Sequence, residues 1–171
     1  MMSYDLVVFD ASTLILLAKI ELLPLVADQV TAVVTLQVER EAARQPARWD
    51  AKTIRALIDD RRIAVRKAEP ALMRRLVEDF RLGAGEASAL ALAKAEGGIV
   101  ATDDGVAIKA CKLAGVPFVT ALHVLLGMSE RRLVDRPTAL MKLEQLQKAG
   151  RYHPRILEAA MSRLMQGGRA S

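Results

Sequence analysis

Asp10, Glu41, Glu86 and the adjacent Asp103 and Asp104 are the side chains of this chain best suited to do chemistry together. Asp10 ends the apolar run Leu6-Val7-Val8-Phe9, and Asp103-Asp104 follow Ile99-Val100-Ala101-Thr102. Glu41 lies on a helical pattern after Thr31-Ala32-Val33-Val34, and Glu86 opens another helical pattern. In an open parallel α/β sheet, residues at the carboxyl ends of the strands converge on one crevice. Carboxylates gathered there repel one another unless a hard divalent cation neutralises them. The chemistry these residues predict is Mg²⁺- or Mn²⁺-dependent phosphodiester hydrolysis.

Each candidate also has a plain structural role. Asp10-Ala11-Ser12-Thr13 suits a helix N-cap. Ser12 occupies the place where a phosphoaspartate enzyme would carry a second acid, so it disfavours that chemistry and suits an outer hydroxyl instead. Glu39 and Glu41 are two apart on Leu36–Ala43 and face different ways, so at most one looks into a shared pocket. Gly83-Ala84-Gly85-Glu86-Ala87-Ser88 is not a dinucleotide fingerprint, because Ser88 replaces the last glycine and a helix rather than a strand precedes it. Glu86 there is favourable against a helix dipole, or projects into a pocket from a turn that the glycines bring close. Thr102-Asp103-Asp104-Gly105 can be a turn and cap, or a metal site at a strand's end.

These residues need elements to hold them. Strands are predicted over Tyr4–Phe9, Thr31–Val34, Ile63–Val65, Ile99–Ala101 and Val116–Val119. Helices are predicted over Thr13–Ala18, Leu22–Ala27, Leu36–Ala43, Ala51–Asp59, Pro70–Phe80, Glu86–Ala95 and Val106–Leu113. A helical tail follows over Ala121–Gly127, Thr138–Ala149 and Pro154–Met165, with Gly167–Ser171 expected to fray. The alternation predicts a parallel sheet covered on both faces, a three-layer α/β/α fold. We divide the chain into an α/β domain over 1–126 and a helical extension over 127–171 packed on it, with Gly127–Pro137 the one candidate hinge.

At 171 residues the chain is long enough for a substantial core, and 52% hydrophobic with 4% aromatic residues makes that core aliphatic. One cysteine, Cys111, excludes an internal disulfide, and with His123 and His153 alone beside it a structural zinc site is disfavoured. No apolar run approaches membrane-spanning length, and the start has no basic leader region, so a soluble cytoplasmic protein with no membrane partner is expected. The net charge of +5 favours a polyanionic partner. Arg44, Arg48, Arg55, Arg61, Arg62, Arg66, Lys67, Arg74, Arg75 and Arg81 crowd the middle helices and hint at a phosphate-binding surface.

Taken in order, Asp10 after the first strand, an acid after the second, Gly83-Ala84-Gly85-Glu86, and Ile99 to Gly105 resemble the PIN-domain family. The Gly-x-Gly-Glu-x-x-Ala pattern running to Leu92, Val116–Thr120, and Gly150-Arg151-Tyr152 before the last helix resemble one prokaryotic branch of it. The resemblance implies a metal-dependent single-stranded ribonuclease leaving a 5′-phosphate and a 3′-hydroxyl, and frequent homodimers. It also implies relatives that are toxins with a cognate antitoxin. Carried over, Asp10 and Glu86 match directly, and Glu41 matches through Val38 the Val-x-x-Glu form of the second acid. Glu39 is a variant match, four residues after Thr35. Thr-x-Asp spacing favours Asp104 as the fourth acid, with Asp103 the alternative. The metal ligands so implied are Asp10, Glu86, Asp104, Asp103 and Glu41. The other class left open is a PIN-fold module that binds RNA or a protein without cutting.

Overall fold

The computed structural model describes residues 6–150 and 152–167. Tyr4, Asp5, Arg151 and the expected frayed end beyond Gly167 lie outside the described residues. Two compact units divide the chain at Thr120 and Ala121.

The first unit is built on five parallel strands among the described residues: β1 (Leu6–Phe9), β2 (Thr31–Thr35), β3 (Ala64–Arg66), β4 (Ile99–Ala101) and β5 (Phe118–Val119). Their order is β3-β2-β1-β4-β5. In β1 the consecutive residues Val7, Val8 and Phe9 are all buried, and alternate strand residues point to opposite faces, so both faces of the sheet are covered. Val8 aligns with Val33 on one side and Val100 on the other. This valine row packs on Ala87–Ala93 of α6 (Ala84–Glu96), with Leu76 of α5 (Pro70–Phe80) and Ala107, Ala110 and Cys111 of α7 (Gly105–Ala114). The small side chains of α6 let that helix lie close on the sheet.

The remaining helices of this unit are α1 (Ala11–Lys19), α2 (Leu23–Gln29), α3 (Leu36–Ala42) and α4 (Trp49–Asp59), with α1 packed on α2, α3 and α4. The chain passes from β1 to β2 to β3 in one direction, then returns across β1 to β4 and β5. Right-handed crossovers in opposite directions put helices on opposite faces, giving the expected three-layer α/β/α arrangement. Because β1 sits where the strand order reverses, its carboxyl end opens on the crevice where such sheets bind ligands.

The element boundaries differ from expectation in informative places. β3 is shifted one residue, to Ala64–Arg66. Helix α6 begins at Ala84 rather than Glu86, with Gly83 as its N-cap, so Gly85 lies inside the first turn. It ends on Gly97, whose φ of 71° lies in the left-handed region that costs glycine nothing.

The second unit contains α8 (Ala121–Glu130), α9 (Arg136–Ala149) and α10 (Pro154–Gln166), each packed on the other two. The expected division after Leu126 falls inside α8, and Gly127 is helical rather than a hinge. Pro137 opens α9, where its missing N–H is no loss, and Asp135 caps that helix through the Thr138 N–H at 2.8 Å. No helix of the described residues is long and apolar enough to cross a membrane.

Candidate active site

Asp10 takes the first position beyond β1 with an extended backbone and caps α1. Its N–H donates to the Ala101 carbonyl at 2.9 Å, extending the β1–β4 ladder by one bond. The residue is only 2% exposed. Oδ1 accepts from the Ala11 N–H at 2.7 Å. Oδ2 accepts from the hydroxyls of Thr102 at 2.7 Å and Ser12 at 3.1 Å. Burial nevertheless wins, pushing the Asp10 pKa up to about 6, and the negative charge of Glu86 acts in the same direction against those three hydrogen bonds.

Glu41 and Glu86 are brought together by the start of α6. Glu86 is in the first turn of that helix. The Glu41 carboxylate accepts from the Gly85 N–H and lies where a Gly85 side chain would be. A Cβ there would fall 2.5 and 2.7 Å from its two oxygens. A Cβ on Gly83 would likewise strike the Glu86 carboxylate. The Glu41 pKa is raised, by burial first and by the Glu86 charge second, against Arg44 and the Gly85 N–H. Glu86 is therefore the charge that both Asp10 and Glu41 feel.

A hydroxyl relay ties the two helices that carry these glutamates. Thr35 caps α3 by accepting from the Val38 N–H at 3.2 Å, and Ser88 on α6 donates to the Gly85 carbonyl at 2.7 Å. The Thr35 and Ser88 oxygens are 2.6 Å apart and completely buried. With the Ser88 proton already given to Gly85, the Thr35 hydroxyl supplies the proton between them.

Around Asp103 and Asp104 the contacts run back to α1. The Asp103 carboxylate accepts from the Thr13 hydroxyl, and its N–H donates to Ser12 Oγ at 3.0 Å. Asp104 caps α7 through the Ala107 N–H at 2.8 Å, and its own N–H donates to Thr102 Oγ1 at 3.2 Å. Thr102 thus touches both the Asp10 carboxylate and the Asp104 backbone. Among the described residues no three His, Cys, Asp or Glu side chains stand together tightly enough to hold a metal ion as they are.

A family model for a PIN domain (DUF3368) matches residues 6–166. The chain belongs to the PIN-domain family. PIN domains are generally nucleases, and those nucleases typically use divalent metals. Among solved structures, the crystal structure of PAE2754 from Pyrobaculum aerophilum is similar, with a TM-score of 0.52 at 18% identity. The match covers 72% of this chain and 96% of that one, and at that identity it speaks for the fold alone. No curated protein sequence matches the chain.

Within this PIN domain the two glutamates of α3 part company. Glu41 turns to α6, whereas Glu39 turns to α4 and pairs with Arg55 at 3.1 Å. Asp10, Glu41 and Glu86 are in electrostatic reach of one another through Glu86, while Asp104 joins Asp10 through Thr102 and Asp103 joins α1 through Thr13. The basic helices are partly neutralised: Arg48 pairs with Asp50, Arg55 with Glu39 and Asp59, Arg62 with Asp28, and Arg66 with Glu96. Cys111 is buried, its thiol pushed up to about 11 by burial and by the Asp10 charge, so it is no nucleophile.

Residue types alone did not single out Thr102, Thr35 and Ser88. Each is a small hydroxyl completely buried at the end of a strand or in the first turns of a helix. The one available signal was a threonine ending each of two apolar strands, just before an acid-bearing segment.

Proposed function

We propose that this PIN domain is a divalent-metal-dependent endoribonuclease that hydrolyses phosphodiester bonds of single-stranded RNA, with Mg²⁺ or Mn²⁺ as its ion. The observation that carries this reading is the mutual electrostatic strain of Asp10, Glu86 and Glu41, in which burial and the Glu86 charge oppose ionisation of the other two. Side chains so placed store a demand for positive charge. The donor set consists of carboxylate oxygens backed by hydroxyls, which fits a hard cation and not a thiolate- or imidazole-seeking one. Asp10, Glu86 and Asp104 would hold it, with Glu41 completing the set and Asp103 as the alternative to Asp104.

When bound, such an ion lowers the pKa of a water and neutralises charge gathering on the scissile phosphate. The chain's own part is positioning. Thr102 and Ser12 fix the orientation of Asp10, the Gly85 N–H holds Glu41, and the Asp104 cap anchors the helix that follows β4. Exposed cations that make no ion pair among the described residues, including Arg74, Arg75 and Arg81, supply backbone affinity for RNA. A cytoplasmic homodimer and a place as the toxin of a type II toxin–antitoxin pair extend the proposal. The homodimer and toxin readings rest on the family resemblance, and the cytoplasmic one on a single cysteine that suits a reducing compartment.

The test is single-turnover cleavage of a diverse single-stranded RNA pool by the purified chain with Mn²⁺, its size checked to exclude a copurified inhibitor. Metal-dependent cutting that EDTA and Glu86→Gln each stop, while RNA binding persists, supports the proposal. Binding without cutting by a demonstrably lone chain overturns it in favour of a non-catalytic RNA- or protein-binding module.

A further inference from the structure

The single tryptophan of the chain stands at an unusual place. Trp49 is the first residue of α4 and is 50% exposed, although an indole is a side chain that folding normally buries to advantage. The helix does not lack an apolar face to put it on. Ala51, Ile54 and Leu57 are buried, and Trp49 lies off that face, on the side where Lys52 and Ala56 are exposed. It is the one aromatic side chain among the large hydrophobic residues exposed in the described structure.

Its neighbours are cationic. The connection from α3 to α4 carries Arg44 and Arg48, with Arg40 exposed near the end of α3 and Lys52 three residues past the indole. Asp50 neutralises Arg48 at 3.1 Å and Glu39 is taken up by Arg55 at 3.1 Å, which leaves Arg40, Arg44 and Lys52 as the cations of this segment outside any ion pair among the described residues. The same connection begins two residues after Glu41, and the Arg44 charge reaches that carboxylate. An exposed indole on a basic segment is thus joined through the α3–α4 connection to the Glu41 side of the acidic crevice.

We infer that Trp49 is a stacking platform for an unpaired base of a single-stranded RNA whose backbone runs along the Arg40–Lys52 cations toward Glu41. A flat π-face flanked by cations suits a strand with bases turned out and phosphates alongside, and it tolerates any base. An apolar patch for a protein partner would not need the cations and would extend over more than one large side chain. The inference rests on the nuclease reading for its choice of RNA, and its test separates the two.

In EDTA, where no cutting occurs, the full chain is titrated with end-labelled oligoadenylate and oligouridylate of about twelve nucleotides. Anisotropy of the label reports binding, and emission of the lone tryptophan reports contact with a base. Saturable quenching that tracks the anisotropy is expected, with adenylate binding tighter than uridylate. Trp49→Ala should weaken binding about tenfold or more, and Trp49→Phe should restore most of it. Binding that leaves tryptophan emission unchanged, with Trp49→Ala within twofold of wild type, overturns the platform and leaves RNA recognition standing. No binding by anisotropy overturns both readings. Emission that shifts on dilution of the protein and ignores RNA assigns the indole to a protein interface and also overturns the platform. Quenching is read on the wild-type chain, so the inference is tested even if the alanine variant folds poorly.

Discussion

Replacing Asp10 with asparagine should make the metal-free protein more stable at neutral pH. The Asp10 pKa stands at about 6 in the folded chain against an ordinary value of 3.8, so the folded state holds its proton more tightly than the unfolded state does. Stability associated with this group is fully present below pH 4 and is lost as pH rises through about 6. A difference of roughly 2 units corresponds to on the order of 3 kcal/mol of destabilisation once the carboxylate is charged. Asparagine keeps the shape and an acceptor for the Ala11 N–H, and the Thr102 and Ser12 hydroxyls can rotate to receive its amide. It carries no charge to desolvate. Urea unfolding of wild type and Asp10→Asn in EDTA, from pH 4 to pH 8, isolates the effect as a difference curve. That difference should be near zero at pH 4, rise in favour of the mutant between pH 4 and 6.5, and level off. At this chain length the plateau is equivalent to about 6 to 12 °C in Tm. Millimolar Mn²⁺ should raise wild-type stability and shrink the gap. A flat difference curve, or one that favours wild type as pH rises, would falsify the claim that burial and Glu86 strain this carboxylate.

Gly85→Ala should cut activity by on the order of 10² or more by displacing the Glu41 carboxylate. Its unfolding free energy should move by no more than about 1 kcal/mol, since alanine favours the helix; unchanged turnover would refute the close seat. Thr35→Val should destabilise the chain by about 1 to 3 kcal/mol, because it strands the Val38 N–H and the Ser88 oxygen in a dry interior. Denaturant titration beside Thr35→Ser, which keeps the relay, is the check, and equal loss in both variants would sink it. Glu41→Gln and Asp104→Asn should each lower RNA cleavage far more than Glu39→Gln and Asp103→Asn, measured as single-turnover rates with Mn²⁺. The opposite ranking would move the site to the neighbouring acids.

The central elements were legible because they obey local rules. The Leu6–Phe9, Thr31–Thr35 and Ile99–Ala101 strands are short apolar runs followed by polar caps, and Pro70 announces the start of α5 to the residue. The start of α6 was less legible, since two glycines ordinarily signal a turn. Here they remain in or at a helix because carboxylates from Glu41 and Glu86 occupy the space their side chains would need. The continuity of α8 through Gly127 was obscured for the same reason, glycine being tolerated in a helix that packing supports. The separation of Glu39 from Glu41 follows from helical geometry, but the direction each faces depends on Arg55 and Gly85, which are distant in sequence. The buried hydroxyls had no signature at all, because their role depends on partners such as Thr102 for Asp10 and Ser88 for Thr35.

The bond from Thr102 to Asp10 also sets a schedule. Asp10 and the Thr102 hydroxyl that donates to it are 92 positions apart, and Thr102 follows β4, the strand that pairs with β1 on that side. At translation speeds of 5 to 20 residues per second, that is a delay of roughly 5 to 20 seconds. During it β1 can pair with β2, but the carboxyl end of β1 has neither Glu86 fixed across from it nor β4 beside it. A growing chain therefore cannot assemble its acidic crevice until Thr102 has been made, so whatever chemistry the crevice performs waits for the sheet to close around β1.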